Sequence, residues 1–287
     1  MSARCFRNVC SLFLAEWSLC SPSACDSPRG FRYNRAMSAE NPSRPLIWDS
    51  ARLSDPHGQA DKATRVRAMF DAIAPTYERV NRVLSLGRDA YWRREAVNIA
   101  GVRADDRVLD IACGTGDFAR AFSLAGPART VGTDFAANML EHAASAGQSF
   151  IRWCQSDAQS LPFTDASFTI TSCAFGVRNF QDLDRGLAEM HRVLSPGGRA
   201  VILEFGVPRT PLLGSLYGVY MRRALPRLAR WISHDTTGAY DYLPQSVSSF
   251  VKTPEMIDRL RRAGFERVEH KALTFGAVVV YLAWRGR

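Results

Sequence analysis

The stretch from Arg107 to Asp117 constrains the fold of this 287-residue chain more than any other part of the sequence. An apolar run, Val108-Leu-Asp-Ile-Ala112, leads into Cys-Gly-Thr-Gly and then into a segment compatible with a helix. Because glycine has no Cβ, Gly114 and Gly116 let the chain turn sharply and approach a bound molecule closely. The pattern predicts a strand, a glycine turn and a helix, which is an arrangement that binds nucleotide-type cofactors at the edge of a parallel sheet.

Strand and helix patterns alternate along most of the chain that follows. The predicted strands are Arg107–Ala112, Thr130–Thr133, Phe150–Gln155, Phe168–Phe175 and Arg199–Phe205, and the predicted helices between them are Phe118–Leu124, Ala136–Ala146 and Asp182–Leu194. This alternation predicts an α/β fold, a parallel sheet with helices on both faces. After a helix at Pro254–Ala263, strands near Arg267–Thr274 and Ala277–Trp284 are separated only by Phe275-Gly276. A connection this short requires antiparallel pairing.

Helices precede the alternating region, and an irregular segment interrupts it. Val66, Met69, Phe70 and Ile73 have the spacing of one helix face, and further helices are predicted at Tyr77–Leu84 and Tyr91–Ile99. In residues 207–251, one amphipathic face would consist of Leu216, Tyr217, Tyr220, Met221, Ala224 and Leu228. We therefore predict one domain, residues 62–287, in which 207–251 is an insertion that covers the substrate.

The first 61 residues have a different composition, and we expect them to be disordered or loosely attached. The first 35 are rich in Ser, Cys and Arg around a short apolar patch, Ser11-Leu-Phe-Leu-Ala15. A secretory signal is disfavoured because Glu16 interrupts the patch. Two other interpretations stay open: an organelle presequence, or an upstream extension of a protein whose translation starts at Met37.

Composition excludes several classes of protein. No run approaches the roughly 18 apolar residues of a membrane-spanning helix. The net charge of +9 suits contact with an anionic lipid surface, or it reflects a dispersed basic surface; its distribution does not indicate nucleic-acid binding. The seven cysteines form no CxxC pair and no cluster with His at zinc-like spacing, so we expect reduced thiols and no metal.

Acidic residues near three successive strand ends indicate which cofactor the glycine turn binds. Asp110 lies in the first strand, Asp134 ends the second and could hold two ribose hydroxyls, and Asp157 follows the third, next to Ala158. The glycine pattern alone also fits a nicotinamide reductase, and helix N-caps place single aspartates at strand ends too. However, Asp110 and Asp117 beside the turn would repel a pyrophosphate and attract an ammonium and a sulfonium, and carboxylates at three successive strand ends suit the same cationic cofactor. We therefore predict S-adenosylmethionine.

Four motifs carry a family resemblance. Residues 77–92 (YERVNRVLSLGRDAYW) resemble the first signature of the ubiquinone/menaquinone biosynthesis C-methyltransferases, and residues 192–205 (RVLSPGGRAVILEF) resemble the second. Leu161-Pro-Phe163 and Phe175-Gly-Val-Arg-Asn179 are also similar to that family. The resemblance covers about Lys62 to Arg285. It implies the Rossmann-like class I methyltransferase fold, a seven-stranded, mostly parallel sheet with an antiparallel last strand.

The resemblance also implies cofactor contacts. These are expected at Thr115, Asp134, Asp157 and Ala158, in addition to Asp110, Gly114 and Gly116 of the first strand and glycine turn. Tyr77, which begins the first signature, is a further predicted cofactor contact. Some family members have a cofactor-binding serine where this chain has Ala174, so that contact is in doubt. The family often has histidine at the position of Asp89 or Ala90, and lysine at that of Ser195.

The family's reaction moves a methyl group from the sulfonium to a ring carbon of a polyprenyl hydroquinone. Arg178 follows the fourth strand, and we predict that its cation stabilises the phenolate of the acceptor; the alternative is a surface salt bridge with Asp182. Asn179 is predicted to bind a quinol oxygen, and Tyr77 to close over the cofactor or simply to pack in the core. The candidate quinol contacts in the insertion are His234, Asp235, Tyr240 and Tyr242, and His234 could take the phenolic proton.

The resulting hypothesis is an S-adenosylmethionine-dependent C-methylation of a polyprenyl quinol, with demethylmenaquinol as the acceptor. The alternatives are the equivalent benzoquinol in ubiquinone biosynthesis, a methyltransferase for another small molecule, or a non-catalytic S-adenosylmethionine-binding partner. A polyprenyl chain is insoluble, and Arg222, Arg223, Arg227 and Arg230 lie near the predicted apolar face of the insertion. We therefore expect a cytoplasmic protein with peripheral contact to the inner membrane. A homodimer would explain the same face, and a presequence would place the protein in the mitochondrial matrix.

Overall fold

The computed structural model describes residues 47–147, 150–208, 211–233, 235 and 237–287. Four helices come first: α1 (Ser50–Leu53), α2 (Lys62–Ile73), α3 (Tyr77–Leu84) and α4 (Arg88–Ala100). The alternating region comprises β1 (Arg107–Ile111), α5 (Asp117–Leu124), β2 (Arg129–Asp134), α6 (Ala137–Ser145), β3 (Ile151–Gln155), β4 (Phe168–Ala174), α7 (Leu183–Arg192) and β5 (Leu194–Phe205). Then follow α8 (Pro211–Val219), α9 (Leu225–Ser233), α10 (Ala239–Ser248), α11 (Thr253–Arg262), β6 (Phe265–Leu273) and β7 (Val278–Arg285).

The seven strands form one sheet in the order β3-β2-β1-β4-β5-β7-β6. Strands β1 to β5 pair in parallel, and β7 is antiparallel to both of its neighbours, β5 and β6. The predicted sheet is confirmed, including the antiparallel last strand. Strand β1 lies between β2 and β4. The chain therefore crosses the sheet in one direction from β1 to β2, and in the opposite direction from β3 to β4. The crevice at the carboxyl ends of β1 and β4 is therefore the expected ligand site of an open α/β sheet.

Apolar side chains cover both faces of the sheet. On one face, Trp92 and Val97 of α4 pack with Phe118 and Phe122 of α5 against the strands. On the other face, α7 and α11 contribute buried side chains such as Leu187 and Leu260. A third cluster joins α2, α3, α9 and α10 above the carboxyl ends of the strands. That helical layer turns the open edge of the sheet into enclosed space.

The fifth strand begins earlier than its sequence indicates. Ser195-Pro-Gly-Gly198 predicts a stop before a strand at Arg199, but β5 already begins at Leu194, which pairs with Phe168. The next pair in the ladder is Ile170 with Arg199, so residues 195–198 bulge out opposite Thr169. Gly197 has a φ of 74°, which its glycine permits without strain. The turn residues therefore interrupt the strand without ending it.

The prediction that the chain is loose before Lys62 is wrong for residues 47–61; residues 1–46 lie outside the described residues. Trp48 is only 1% exposed, and its ring stacks on Tyr242 with 4.3 Å between centroids. The Trp48 backbone N–H donates to Thr237 O, at 3.2 Å. Burying an aromatic ring of this size contributes about 1.5–3 kcal/mol, enough to fix a short segment onto the domain.

The predicted amphipathic face of the insertion is also corrected. Between α8 and α9 the helix widens into a π-helical segment, Tyr220–Ala224, whose extra residue changes which side chains face inward. Met221 and Leu225 are buried, whereas Leu216 and Leu228, predicted on the same face, are 60% and 37% exposed.

No helix in the described ranges is long and apolar enough to span a lipid bilayer.

Candidate active site

A cavity beside the glycine turn, the turn cavity, lies at the carboxyl ends of β1, β2 and β4. Five of the predicted cofactor residues line it: Tyr77, Gly114, Asp134, Asp157 and Ala158. A Cβ built on Gly114 would lie 3.8 Å from the Tyr77 ring, so the glycine keeps open the space between the turn and that ring. Gly114 also has a φ of 57°, in the region that glycine adopts most easily.

Asp134 is oriented by the backbone at the end of β2. Its Oδ2 accepts a hydrogen bond from Gly114 N at 2.7 Å, and its Oδ1 accepts one from Ala136 N at 2.8 Å. Burial raises the pKa of this carboxyl to about 6, although the backbone donors oppose that shift. Each carboxylate oxygen has a second lone pair, so the ionised group can still accept two hydroxyl protons from a ligand in the cavity. This geometry fits a ribose diol.

Three of the predicted cofactor residues lie behind the turn, and their contacts with the cofactor stay predictions. Asp110 is 0% exposed, and its Oδ1 accepts from Ser172 Oγ at 2.7 Å. Thr115 is buried, and a Cβ on Gly116 would lie 2.4 Å from the Trp153 ring. None of the three lines the turn cavity. Gly116 is needed for packing and for its φ of 90°, whereas Asp110 accepts from Ser172 within the core.

Asp157 and Ala158 lie on the cavity wall, two and three residues beyond the end of β3. Asp157 Oδ1 accepts from Gln159 N at 2.9 Å, which fixes the carboxylate in a short turn. The neighbouring Phe135 ring also lines the cavity, with the Arg67 guanidinium 5.2 Å from its centre. An acid and an apolar face on one wall suit the polar edge and the flat face of a purine.

Helix α2 closes the turn cavity from the side opposite the sheet. Ala63, Val66, Arg67 and Phe70, all on one side of α2, line the cavity. The Tyr77 ring packs edge-on against Phe70, with 5.8 Å between the ring centres. Tyr77, the first residue of α3, thus lies in the wall of the turn cavity, and its contact with the cofactor stays a prediction. The spacing of apolar residues in α2 indicated only one apolar helix face, so the place of this helix in the site was not predicted.

A second cavity, of about 300 Å³, adjoins the first. We call it the aromatic cavity because its wall includes Tyr77, Trp92, Phe175, Phe205, Tyr217, Tyr220, Tyr240 and Tyr242. Phe70, Tyr77 and Phe175 line both cavities. Tyr240 and Tyr242 thus lie in the wall of this cavity, and their contact with a quinol stays a prediction. The Tyr217 hydroxyl is buried without a partner among the described residues and is available to a polar group.

Arg178 lines the aromatic cavity and is held in the core by Glu204 of β5. Arg178 Nη1 donates to Glu204 Oε1 at 2.9 Å and also to Phe175 O, and the guanidinium lies 5.2 Å from the centre of the Phe205 ring. The alternative, a surface salt bridge to Asp182, is wrong, because Asp182 accepts from Arg185 N and caps α7. The Nε of Arg178 is buried and has no partner in the described part of the chain. Glu204 was missed, although a single acid within the apolar run of β5 was a visible signal.

Asn179 stands between the two cavities, in the 3-10 turn Val177–Asn179 that follows β4. It lines the turn cavity, and its Oδ1 accepts from the Tyr242 hydroxyl at 3.0 Å. Its Nδ2 donates to Phe175 O at 3.4 Å. Phe175 has a φ of 57°, a costly conformation for a residue with a side chain, and it is held there by these contacts. The strained residue lies where the two cavities meet.

The other two predicted quinol contacts in the insertion are Asp235 and His234. Asp235 does not line the aromatic cavity: its carboxylate accepts from Thr237 N at 2.8 Å and from Ala239 N at 3.0 Å. It caps the start of α10, so its assignment as a substrate contact is wrong. His234 lies outside the described residues, and its role stays a prediction.

Comparison with known proteins identifies the family. The family model described as the ubiE/COQ5 methyltransferase family matches residues 58–285. The chain belongs to this family. It is 46% identical over 244 residues to demethylmenaquinone methyltransferase of Deinococcus radiodurans, an alignment that covers 84% of this chain and 96% of the relative. It is 40% identical to the ubiquinone/menaquinone biosynthesis C-methyltransferase UbiE of Geobacter sp. (strain M21), over 78% of this chain and 97% of that one.

A solved structure supports the fold assignment. A possible histamine N-methyltransferase from Thermotoga maritima matches with a TM-score of 0.56 at 20% identity, covering 77% of this chain and 99% of the other. The protein is a class I S-adenosylmethionine-dependent methyltransferase. The turn cavity fits this cofactor, because it combines the open space at Gly114 with the oriented carboxylate of Asp134 and the Asp157-Ala158 wall.

Proposed function

We propose that the protein methylates a ring carbon of demethylmenaquinol in menaquinone biosynthesis. S-adenosylmethionine supplies the electrophilic methyl group when bound. One observation carries the proposal: the turn cavity meets a larger aromatic cavity at Tyr77 and Phe175. A flat ring in the aromatic cavity would meet a methyl donor in the turn cavity at this junction, and the names of the family relatives indicate a quinol as that ring.

Arg178 is proposed to prepare the acceptor. A phenol is a weak carbon nucleophile until it loses its proton, and a nearby fixed cation lowers the phenol pKa by stabilising the phenolate. Arg178 cannot itself act as the base, because guanidinium stays protonated in proteins. The Nε–H of Arg178 has no partner among the described residues, so it can donate a hydrogen bond to an oxygen of the quinol. Glu204 prevents the guanidinium from moving away, so it is already oriented before the acceptor binds.

Asn179, Tyr240 and Tyr242 are proposed to orient the ring. Tyr242 donates to Asn179 Oδ1, which fixes the amide at the boundary between the cavities. Burial raises the pKa of both tyrosines, so their hydroxyls stay protonated. The Tyr240 hydroxyl has no partner among the described residues and can donate to a quinol oxygen, whereas the single proton of Tyr242 is used on Asn179. The reacting carbon must lie about 3–3.5 Å from the methyl group and in line with sulfur, which is the geometry that such contacts enforce.

The function is tested with purified protein, methyl-labelled S-adenosylmethionine and two reduced acceptors. We expect label transfer to a demethylmenaquinol with at least tenfold higher kcat/KM than to a demethylated benzoquinol. The reverse preference would assign the protein to the benzoquinol alternative. Cofactor binding by calorimetry without turnover on either acceptor would contradict the proposal and favour the non-catalytic alternative.

We also propose that the mouth of the aromatic cavity contacts an anionic lipid surface. Leu86, at the turn between α3 and α4, lines this cavity and is nevertheless 85% exposed, so it marks the mouth. Thr274 lines the cavity too, and the adjacent Phe275 is 79% exposed at the tip of the β6–β7 turn. Residues 211–233 carry four arginines and no acid. Exposed apolar tips beside a cationic helix match an anionic membrane interface.

Vesicle co-sedimentation tests this surface. The double variant Leu86→Ser/Phe275→Ser is expected to bind vesicles of mixed phosphatidylglycerol and phosphatidylcholine at least about tenfold more weakly. Each replacement removes about 1.5–3 kcal/mol of the free energy gained when the apolar side chain is buried in lipid. The matched control is Leu124→Ser, because Leu124 is 81% exposed at the far end of α5. Wild-type binding by the double variant would refute the surface. A dimer that the double variant dissociates in the absence of lipid would show that a second copy occupies it.

A further inference from the structure

Lys62 is more completely buried than any other basic residue of helices α1 to α4. The mechanism proposed above does not use it. It is 3% exposed, at the first position of α2. The chain has only three lysines, Lys62, Lys252 and Lys271, among 37 basic residues. A lysine at this one buried position, in a chain that uses arginine nearly everywhere else, indicates a geometric requirement.

The partners of Lys62 show what that requirement is. Its Nζ donates to Phe180 O at 2.6 Å and to Arg178 O at 2.9 Å, and lies 3.2 Å from His57 Nδ1. His57 Nε2 lies 3.0 Å from Ser246 O and is therefore the protonated nitrogen, which leaves Nδ1 as an acceptor. The three ammonium protons thus meet three acceptors. A planar guanidinium does not match such a converging set.

The ammonium remains charged in this environment at neutral pH. Burial lowers the pKa of Lys62 to about 8, and the nearby positive charge of Arg178 contributes to the same shift. Burial and Lys62 lower the pKa of His57, so the imidazole is neutral and accepts the third bond. The two carbonyls flank the end of the Val177–Asn179 turn, where backbone oxygens have no helical partner and a cation is favourable.

We infer that Lys62 is a positioning residue for methyl transfer, which fixes the turn carrying Arg178 and Asn179 and joins it to the helix that covers the cofactor. A second contact supports the connection: Ala63 N donates to Gln181 Oε1 at 2.9 Å, just beyond the same turn. Lys62 touches neither cavity and acts through Arg178. The inference therefore rests on the role proposed for Arg178.

A double-mutant cycle tests the inference. Lys62→Met is expected to lower kcat about 10- to 100-fold, with a KM for the acceptor within about threefold, because small displacements of reacting groups are costly. Lys62→Arg restores the charge but not the three bonds and is expected to recover only part of kcat. Lys252→Met, at an exposed lysine, is the control and should match the wild type.

The decisive comparison is made in an Arg178→Met background, where Lys62→Met should lower kcat less than threefold further. A merely structural lysine would lower kcat by the same factor in both backgrounds. Equal factors, or wild-type kcat in Lys62→Met, overturn the inference. If Lys62→Met yields no folded protein, Lys62→Gln replaces it in the cycle. Wild-type kcat in Arg178→Met alone would refute the role of Arg178 instead.

Discussion

Arg178→Met is expected to lower kcat about 10²–10³-fold while leaving the Kd for S-adenosylmethionine within about threefold. The guanidinium lines the aromatic cavity but not the turn cavity, so its removal affects the acceptor and spares the cofactor. Loss of a preoriented donor to a developing oxyanion has an effect of this size in other enzymes. Single-turnover methyl transfer and calorimetry measure the two quantities separately.

The control must reproduce the damage to stability, because Arg178→Met leaves Glu204 buried and unpaired, at a cost of about 3–5 kcal/mol. Arg199→Met provides that control. Arg199 forms a similarly buried pair with Asp106, at 2.7 Å, at the opposite edge of the sheet. Per folded molecule, Arg199→Met should retain wild-type kcat. Equal losses in the two variants would show that Arg178 acts only through stability.

Asp134→Asn is expected to weaken cofactor binding roughly 10- to 100-fold. Hydrogen bonds to a charged group contribute about 1.5–3 kcal/mol and neutral ones about 0.5–1.5, and two ribose hydroxyls would lose that difference. Asparagine keeps an oxygen for Gly114 N, so the turn retains its support. Titration calorimetry with S-adenosylmethionine measures the change. A Kd within twofold of the wild type would exclude the ribose contact.

The same carboxyl predicts a pH dependence with a definite sign. Its pKa is raised to about 6 in the free protein, and two ribose hydroxyls can both donate only to the ionised form, because the protonated carboxyl carries a donor in place of one acceptor. Affinity should therefore be constant above about pH 7 and fall below pH 6, to about one tenth at pH 5. Asp134→Asn should remove this fall, whereas Glu141→Gln, at an exposed acid of α6, should retain it. A fall that persists in Asp134→Asn would assign the titration to another group.

Local patterns predicted the fold well because they depend on neighbouring residues. The apolar runs located all seven strands, and α3 has the predicted bounds, Tyr77–Leu84. The exceptions required tertiary information. The tight pairing of Phe168 with Leu194 extends β5 through its own turn residues, and the π-helical segment rotates the face of the insertion.

The candidate site was predictable where the sheet alone positions a residue. Asp134 ends β2 and Arg178 follows β4, and the carboxyl ends of both strands lie at the same edge of the sheet. Their location was therefore predictable from the strand order. The role of Asp110 stays a prediction, because alternation along a strand does not show whether a buried carboxylate faces a ligand or a neighbour such as Ser172. Glu204 and Lys62 were missed because their partners lie 26 and 116 residues away in the chain.

The boundary between the two cavities has a consequence for redesign of the acceptor side. The donor side is built from the sheet and α2, whereas much of the acceptor wall comes from the segment between β5 and α11. Exchanging that segment between relatives replaces Tyr217, Tyr240 and Tyr242 without altering Gly114 or Asp134. A graft of residues 206–252 alone would therefore change the wall of the aromatic cavity and leave every residue that lines the turn cavity unchanged.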